Sequence, residues 1–335
     1  MGRVDRTALS QLFEQDGEPA YRARQVWAWL ARGARSYGEM TDLPGALRAR
    51  LAEQLPLSTL ELERESHARD GTVKALLRTA RGRPVEAVLM RYRDGRRSLC
   101  VSSQSGCPLT CTFCATGQMS FGGNLSADEI LDQALHFRRL GPVDHAVFMG
   151  MGEPMMNLDA VLEACDWLPD LGISARRTAI STVGWIPGIE RLTASGRPIR
   201  LALSLHAPED GLRSALMAVN ERYPLADVLE ACRADYAVRR RMVFVEYVML
   251  AGVNDRYAQA LELAALLQPR EAFKVNLIPY NPTDSAYAGS GREAIAAFRA
   301  ALESRGVRVT VRLTRGRDIA AACGQLAAAE GAAAE

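Results

Sequence analysis

Apolar and polar residues repeat along this chain with a spacing that changes twice. Up to about residue 55 the apolar residues recur at helical spacing, with Trp27 and Leu30 in one stripe. Short alternating runs follow from Leu60 to Val101, separated by Asp-Gly and Gly-Arg-Pro sequences that are typical of hairpin turns. The pattern predicts a helical region followed by antiparallel strands.

From Ser98 onward, strand-like apolar runs alternate with helical patterns. The predicted strands are 98–102, 143–149, 177–181, 199–205, 243–249, 273–278 and 307–313. The predicted helices between them are 126–140, 158–168, 189–195, 225–238, 257–267 and 292–304. This alternation predicts a parallel sheet with right-handed crossovers, and roughly 220 residues are fewer than the ~250 of a complete eight-unit barrel. We therefore expect an α/β fold, an incomplete (β/α)6-type barrel whose chemistry lies at the C-terminal ends of its strands.

The same pattern divides the chain into four segments. We predict a helical N-terminal accessory domain over 1–58 as a candidate RNA-binding region, a β-hairpin extension over 59–97, the partial barrel over 98–318, and a C-terminal tail over 319–335. The Ala-rich end of the tail is expected to be disordered.

Composition limits the class of protein. Of 335 residues, 48% are hydrophobic and 24% are charged, and the net charge is +2, as in a globular protein rather than one with a long basic tail. No apolar run approaches the ~18 residues of a membrane span, and residues 1–10 lack the apolar core of a signal peptide. We expect a cytoplasmic protein without membrane contact. Residues 69–97 nevertheless hold nine basic side chains against three acidic ones, a local basic patch.

Seven cysteines are an odd number in a chain too large to need disulfides for stability, so in a reducing compartment we interpret them as buried, catalytic or metal-binding thiols. Cys107, Cys111 and Cys114 follow the first predicted barrel strand with the spacing Cys-X3-Cys-X2-Cys. A structural zinc site needs four ligands, and the nearest downstream histidine, His136, lies in a predicted helix. A 4Fe-4S cluster held by three thiolates keeps one iron open for a substrate, so the spacing favours a cluster.

With Phe113 before the last cysteine, this loop resembles the signature of the radical S-adenosylmethionine (SAM) superfamily. Further segments resemble one of its families, the RlmN-type adenine-C2 methyltransferases of 23S ribosomal RNA and transfer RNA. The matching segments are 22–27, 100–104, 149–154, 204–208, 276–282, 315–319 and 322–326.

The resemblance implies one 4Fe-4S cluster held by Cys107, Cys111 and Cys114, with SAM on the open iron as both methyl donor and radical source. The residues that it implies along the cofactor are Gly152, Glu153, Ser181, Ser204, Leu205, His206 and Asn276. Gly150 and Gly152 suit a close approach of backbone to a ligand. Glu153 suits the amino group of SAM, although an acid at this turn also suits a helix cap.

Two more cysteines acquire roles by the resemblance. Cys323 takes a methyl group from one SAM, a radical from a second SAM removes a hydrogen from that methyl group, and the carbon adds to C2 of adenine. Cys100 then attacks the sulfur of Cys323 and leaves a disulfide, which a reductant such as flavodoxin or ferredoxin resets. Glu86 is implied as a proton acceptor, with a solvent-facing strand residue as the alternative. Cys165 and Cys232, in predicted helices, are interpreted as packing residues.

The implied substrates are one adenosine of the peptidyl transferase centre in 23S rRNA and the adenosine 3′ of the anticodon in certain tRNAs, and we expect a monomer. Two alternatives stay open. One is a related methyltransferase that modifies C8 of adenosine with the same cysteines. The other is a non-catalytic RNA-binding protein that carries a metal at the cysteine loop.

Overall fold

A ten-stranded sheet organises the computed structural model, which describes residues 6–327. Its first four strands form an antiparallel meander: β1 (Glu61–His67), β2 (Val73–Arg78), β3 (Pro84–Arg91) and β4 (Arg97–Cys100). Two short strands, β5 (Gln104–Ser105) and β6 (Gly123–Asn124), pair separately. The sheet continues with β7 (His145–Phe148), β8 (Thr178–Thr182), β9 (Arg200–Ser204), β10 (Val243–Met249), β11 (Phe273–Pro279) and β12 (Arg308–Val311).

Strands β4 and β7–β12 are parallel, and a helix crosses over between each pair of neighbours. The crossover helices are α4 (Ala127–Arg138), α5 (Leu158–Trp167), α6 (Ile186–Ala194), α8 (Leu225–Arg239), α9 (Tyr257–Leu266) and α10 (Arg292–Ser304). The described strands run from β1 to β12 as an open sheet. The predicted incomplete α/β barrel is therefore confirmed, with six crossovers and seven parallel strands.

Three helices precede the sheet: α1 (Arg6–Gln15), α2 (Tyr21–Arg32) and α3 (Gly45–Gln54). Val26 and Leu30 are buried, so the predicted apolar stripe faces the protein interior. Trp27 packs edge-on against Trp167 at 5.1 Å between ring centroids, and its Nε1 donates to Asp170 at 2.6 Å. The helical region thus packs on the barrel next to α5.

Two elements differ from expectation. Helix α7 (Asp210–Leu216) lies between β9 and α8 and was not predicted, because seven residues are too few to show a helical periodicity. It begins at Glu209, whose carboxylate accepts hydrogen bonds from Gly211 N and Leu212 N. The hairpins of the predicted extension share one continuous sheet with the barrel, since β4 pairs with both β3 and β7. Residues 1–5 and 328–335 lie outside the described range. They include part of the stretch 1–10, for which no signal peptide is expected, and nearly all of the Ala-rich end. No helix within that range has the length and apolar character needed to cross a membrane.

The completely buried side chain of Gln133 ties α4 to the chain just after β4. Its carbonyl oxygen accepts from Ser102 N at 2.8 Å, and its amide donates to Ser102 O at 3.0 Å. Ser102 Oγ in turn donates to Glu86 O and accepts from Met151 N. One glutamine therefore satisfies the backbone where the barrel meets the hairpins.

Replacing Gln133 by Leu leaves both backbone groups of Ser102 without partners in the interior. We expect Gln133→Leu to lower the free energy of unfolding by about 2–5 kcal/mol, measured by urea denaturation. Gln11→Leu, at an exposed position of α1, is the matched control and should change it by less than about 0.5 kcal/mol. Equal effects of the two substitutions would contradict this role of Gln133.

Candidate active site

The C-terminal ends of the parallel strands surround a cavity of about 1030 Å³, part of which is its open mouth. Parallel sheets bind their ligands at this edge. Nine of the predicted site residues line the cavity: Cys107, Cys111, Cys114, Gly152, Glu153, Ser181, Ser204, His206 and Cys323.

The cysteine loop is held in place from three sides. Thr112 N donates to Leu216 O at 3.0 Å, so the end of α7 supports the loop. Gln118 donates to Cys111 O at 3.2 Å. The Phe113 ring contacts the His206 ring edge-on at 4.9 Å between centroids. The phenylalanine of the signature is thus a packing residue that joins the loop to the end of β9.

Burial makes two of the loop thiols weaker acids in the absence of a cation. It raises the pKa of Cys107 to about 12 and raises the pKa of Cys111 well above its usual value, with added repulsion from Cys114. A bound metal reverses this balance, because it stabilises the thiolates. Within residues 6–327 no three Cys, His, Asp or Glu side chains converge as ligands of a single ion. Thiols that are spread along one loop suit a cluster, in which each thiolate binds a different iron.

Glu153 lies between the cysteine loop and the strand ends. Its carboxylate accepts from Met155 N and Val183 N, both at 3.0 Å, and it caps the short 3-10 turn Pro154–Asn157. Burial raises the pKa of Glu153 to about 7. The residue is therefore a cap and a cavity-lining acid at once, and a cationic ligand would favour its charged form.

His206 is a neutral residue at the end of β9. Its Nδ1 accepts from Val248 N at 3.0 Å, which leaves the ring proton on Nε2. Burial lowers its pKa to about 3. Its backbone adopts a left-handed conformation, with φ at 60°, and Asn254 holds its carbonyl at 2.8 Å. These contacts fix the imidazole at the cavity wall.

A second cavity of about 480 Å³ adjoins the first. Cys100, at the end of β4, and Arg312, just after β12, line it together with Cys323. Cys323 lines both cavities, and its side chain is exposed to them. Burial raises the pKa of Cys100 to about 12 and also raises the pKa of Cys323, while the Arg312 charge opposes both shifts.

Similarity to known proteins agrees with this geometry. Residues 101–264 match the model of the radical SAM superfamily, and residues 2–56 match that of the ribosomal RNA large subunit methyltransferase N-terminal domain. The Dual-specificity RNA methyltransferase RlmN of Anaeromyxobacter dehalogenans is 46% identical over 96% of this chain and 90% of its own length. The chain belongs to the RlmN family of radical SAM methyltransferases.

Other members of the RlmN family are similarly close. The protein of Chloroflexus aurantiacus named "Probable dual-specificity RNA methyltransferase RlmN" is 48% identical over 95% of this chain and 90% of its own length. A crystal structure of a radical SAM methyltransferase from Sphaerobacter thermophilus is 44% identical, with a TM-score of 0.90 over 97% of this chain and 98% of that one. An enzyme of this RlmN family uses a 4Fe-4S cluster and SAM, and its substrate is RNA.

Two residues implied along the cofactor of an RlmN enzyme do not line the cavity here. Leu205 is completely buried in the main core. Asn276 is partly buried beside the cavity-lining Glu246, to which its amide donates at 2.8 Å, and its amide oxygen accepts from Thr310. Asn281, five residues further along, lines both cavities instead and donates to Cys323 O at 3.2 Å. The Asn-Pro sequence after β11 is the signal that identifies this position.

The two glycines also allow close packing of protein atoms. A Cβ on Gly150 would lie 2.6 Å from Ser102 Oγ, and one on Gly152 would lie 2.4 Å from Gln104 Cβ. The missing side chains therefore make room for neighbouring protein atoms. The backbone of both residues still lines the cavity.

Glu86 is buried, with 1% of the residue exposed, so the alternative of a solvent-facing residue is wrong. Lys74 Nζ contacts one carboxylate oxygen at 2.9 Å, and Ala327 N donates to the other at 2.9 Å. Lys74 Nζ also donates to Ala320 O at 3.2 Å. Lys74 and Glu86 of the hairpins thus hold the two ends of the segment 320–327, which carries Cys323. The sequence position of neither Lys74 nor Glu86 indicates this role.

Gly152→Ala tests how closely the strand ends pack. The new Cβ would overlap Gln104, and φ at 94° is unfavourable for alanine. Gly95→Ala is the matched control, because Gly95 has φ at 89° and no neighbour within 4 Å of the new Cβ. In urea denaturation we expect Gly95→Ala to lose about 1–2 kcal/mol from backbone strain, and Gly152→Ala to lose about 1–3 kcal/mol more. Equal losses would show that Gln104 moves aside freely.

Proposed function

We propose that this enzyme methylates C2 of one adenosine in the peptidyl transferase centre of 23S rRNA and of the adenosine 3′ of the anticodon in certain tRNAs. The position of Cys323 carries the proposal. It faces the cysteine loop across one cavity and Cys100 across the other, as a methyl carrier between two sites requires.

Cys107, Cys111 and Cys114 would hold the 4Fe-4S cluster, and Glu153, Ser181 and Ser204 would bind SAM beside it. The hydroxyls of Ser181 and Ser204 are 3.3 Å apart on neighbouring strands, which suits a ligand with vicinal hydroxyl groups. Asn276, which contacts the cavity-lining Glu246, stays a proposed contact of SAM, and Asn281 is a second amide at the cavity. When bound, the cluster delivers an electron to SAM and thereby supplies the radical that removes a hydrogen atom.

The chain's own thiols would perform the group transfer. The thiolate of Cys323 first accepts a methyl group from SAM and becomes a thioether. After the methylene carbon has bonded to C2, the adduct would give up its unpaired electron to the oxidised cluster and its C2 proton to a base. The sulfur of Cys100 would then attack the sulfur of Cys323. One S–C bond breaks, one S–S bond forms, and the proton of the Cys100 thiol goes to the methylene carbon, so the base leaves with a methyl group. Two electrons from a small redox protein such as flavodoxin or ferredoxin then restore both thiols.

Glu86 is the proposed acceptor of the proton that leaves C2. Its carboxylate accepts the Ala327 N–H, so the proposed base is connected directly to the segment that carries Cys323.

Electrostatic attraction to RNA would come from the exposed part of the local basic patch at residues 69–97. Lys74 is held in the interior, and Arg78 and Arg96 pair with Glu63 and Asp94. The exposed Arg69, Arg81 and Arg93 keep their charge available for phosphates. We further propose that the enzyme acts as a monomer in the cytoplasm.

The regiochemistry is tested by anaerobic turnover with isotopically labelled SAM and each RNA, followed by nucleoside chromatography. We expect C2-methyladenosine. The C8 isomer would support the first alternative, and the absence of any methylated adenosine and of 5′-deoxyadenosine would support a non-catalytic RNA-binding protein. Membership of the RlmN family favours neither alternative.

Substitution of the two thiols separates their roles. We expect Cys323→Ala to abolish methylation of both protein and RNA, because the methyl carrier is gone. Cys100→Ala should still take up one methyl group and then stay covalently attached to the RNA, because nothing cleaves the S–C bond. Denaturing gels with labelled RNA detect the adduct. Cys165→Ala, at a buried position in α5, is the control and should retain turnover. Free product from Cys100→Ala would contradict the assigned order of steps.

A further inference from the structure

Arg213, on α7, is a completely buried arginine beside the cysteine loop. Its guanidinium donates only to neutral acceptors: Leu205 O at 3.2 Å, Asn220 Oδ1 at 2.6 Å, Ser204 O at 3.4 Å and Val183 O. These bonds fix the orientation of the group. They do not neutralise its charge.

Among residues 6–327 no carboxylate lies within 4.0 Å of this guanidinium. Asp210 is the nearest acid in sequence, and its carboxylate accepts from Leu225 N and from the Asn220 amide. The other strongly buried arginine on a neighbouring helix, Arg239, shows the usual solution, with two bonds to Asp235 at 2.6 and 2.8 Å. Asp210 attracts the guanidinium only at longer range. A buried charge without a contacting counterion is costly, so additional negative charge nearby would stabilise it.

The cysteine loop is the neighbour able to supply that charge. Cys111 packs in one apolar cluster with Leu216 and Met217 of the α7 region, and Leu216 O holds Thr112. Burial lowers the pKa of Arg213 to about 10, and Cys111 is the strongest of the groups that oppose this shift. Arg213 does not line the cavity, so it is separated from any ligand there.

We propose that Arg213 is the buried counter-cation of the iron–sulfur cluster, and that its charge raises the reduction potential of the cluster. The inference rests on the proposed ligation by Cys107, Cys111 and Cys114. Three thiolates bring negative charge to the loop, and one-electron reduction by the redox partner adds more. A fixed positive charge in a dry environment stabilises the reduced state most, since net local charge and hydrogen bonding set the potentials of such clusters. Arg213 is a positioning residue that acts through the cluster.

The test is a redox titration of the reconstituted full-length enzyme, without SAM, followed by the electron paramagnetic resonance signal of the reduced cluster. We expect Arg213→Gln to shift the midpoint potential to a more negative value and Arg213→Lys to stay close to the wild type. Arg200→Met is the matched control. It removes one positive charge from β9 at the opposite end of the strand, about 13 Å from Ser204 by strand geometry, and should leave the potential unchanged.

Asn220→Asp tests the same inference with Arg213 in place. An acid at this position contacts the guanidinium and offsets its charge, so the potential should again become more negative even where Arg213→Gln does not fold. An unchanged potential in folded, cluster-loaded Arg213→Gln or Asn220→Asp would overturn the inference. Failure of the proposed ligation is distinguishable, because the wild-type chain would then bind no stoichiometric iron and sulfide.

Discussion

Strand β4 is the element on which the site depends, because it pairs antiparallel with β3 and parallel with β7. Cys100 is opposite Val88 on one side and Val147 on the other, so one backbone register sets the thiol relative to both hairpins and barrel. The chain continues directly from this strand into the cysteine loop. A slip of one residue would turn Cys100 to the opposite face of the sheet.

Burial of charge is the second constraint. The cavity edge holds several thiols, the Glu153 carboxyl and the Glu246 carboxyl, and burial raises the pKa of each carboxyl. The Arg312 charge acts on Cys100 and Cys323, the two thiols proposed for methyl transfer, and the Arg213 charge acts on Cys111 of the cysteine loop. An apolar enclosure strengthens each of these interactions, since little water screens them. Burial thus disfavours the charged forms of these two carboxyls, and a cationic ligand would favour them.

The hairpins contribute contacts that position a segment at the barrel, and they do not form a separate unit. Lys74 and Glu86 hold the segment from Ala320 to Ala327, and Thr116 and Ala115 of the barrel hold its other side through Leu326 O and Gly324 O. Cys323 therefore stands between the two cavities by contacts from three distant parts of the chain. The basic patch of residues 69–97 therefore offers fewer available charges than composition implies, because Lys74 is held in these contacts.

Sequence alone determined the fold class, the order of strands and helices, and the loop Cys107–Cys114, because hydrophobic periodicity and ligand spacing are local properties. It also led to Cys100 and Cys323 by family resemblance. Tertiary structure decided which side chains meet: that Glu86 is buried, that Asn281 contacts the Cys323 carbonyl, and that the Arg213 guanidinium donates to neutral acceptors. Such contacts join residues far apart in the chain, and periodicity carries no information about which strand end lies beside which. The desolvation that shifts their pKa values likewise exists only once the sheet and its helices enclose them.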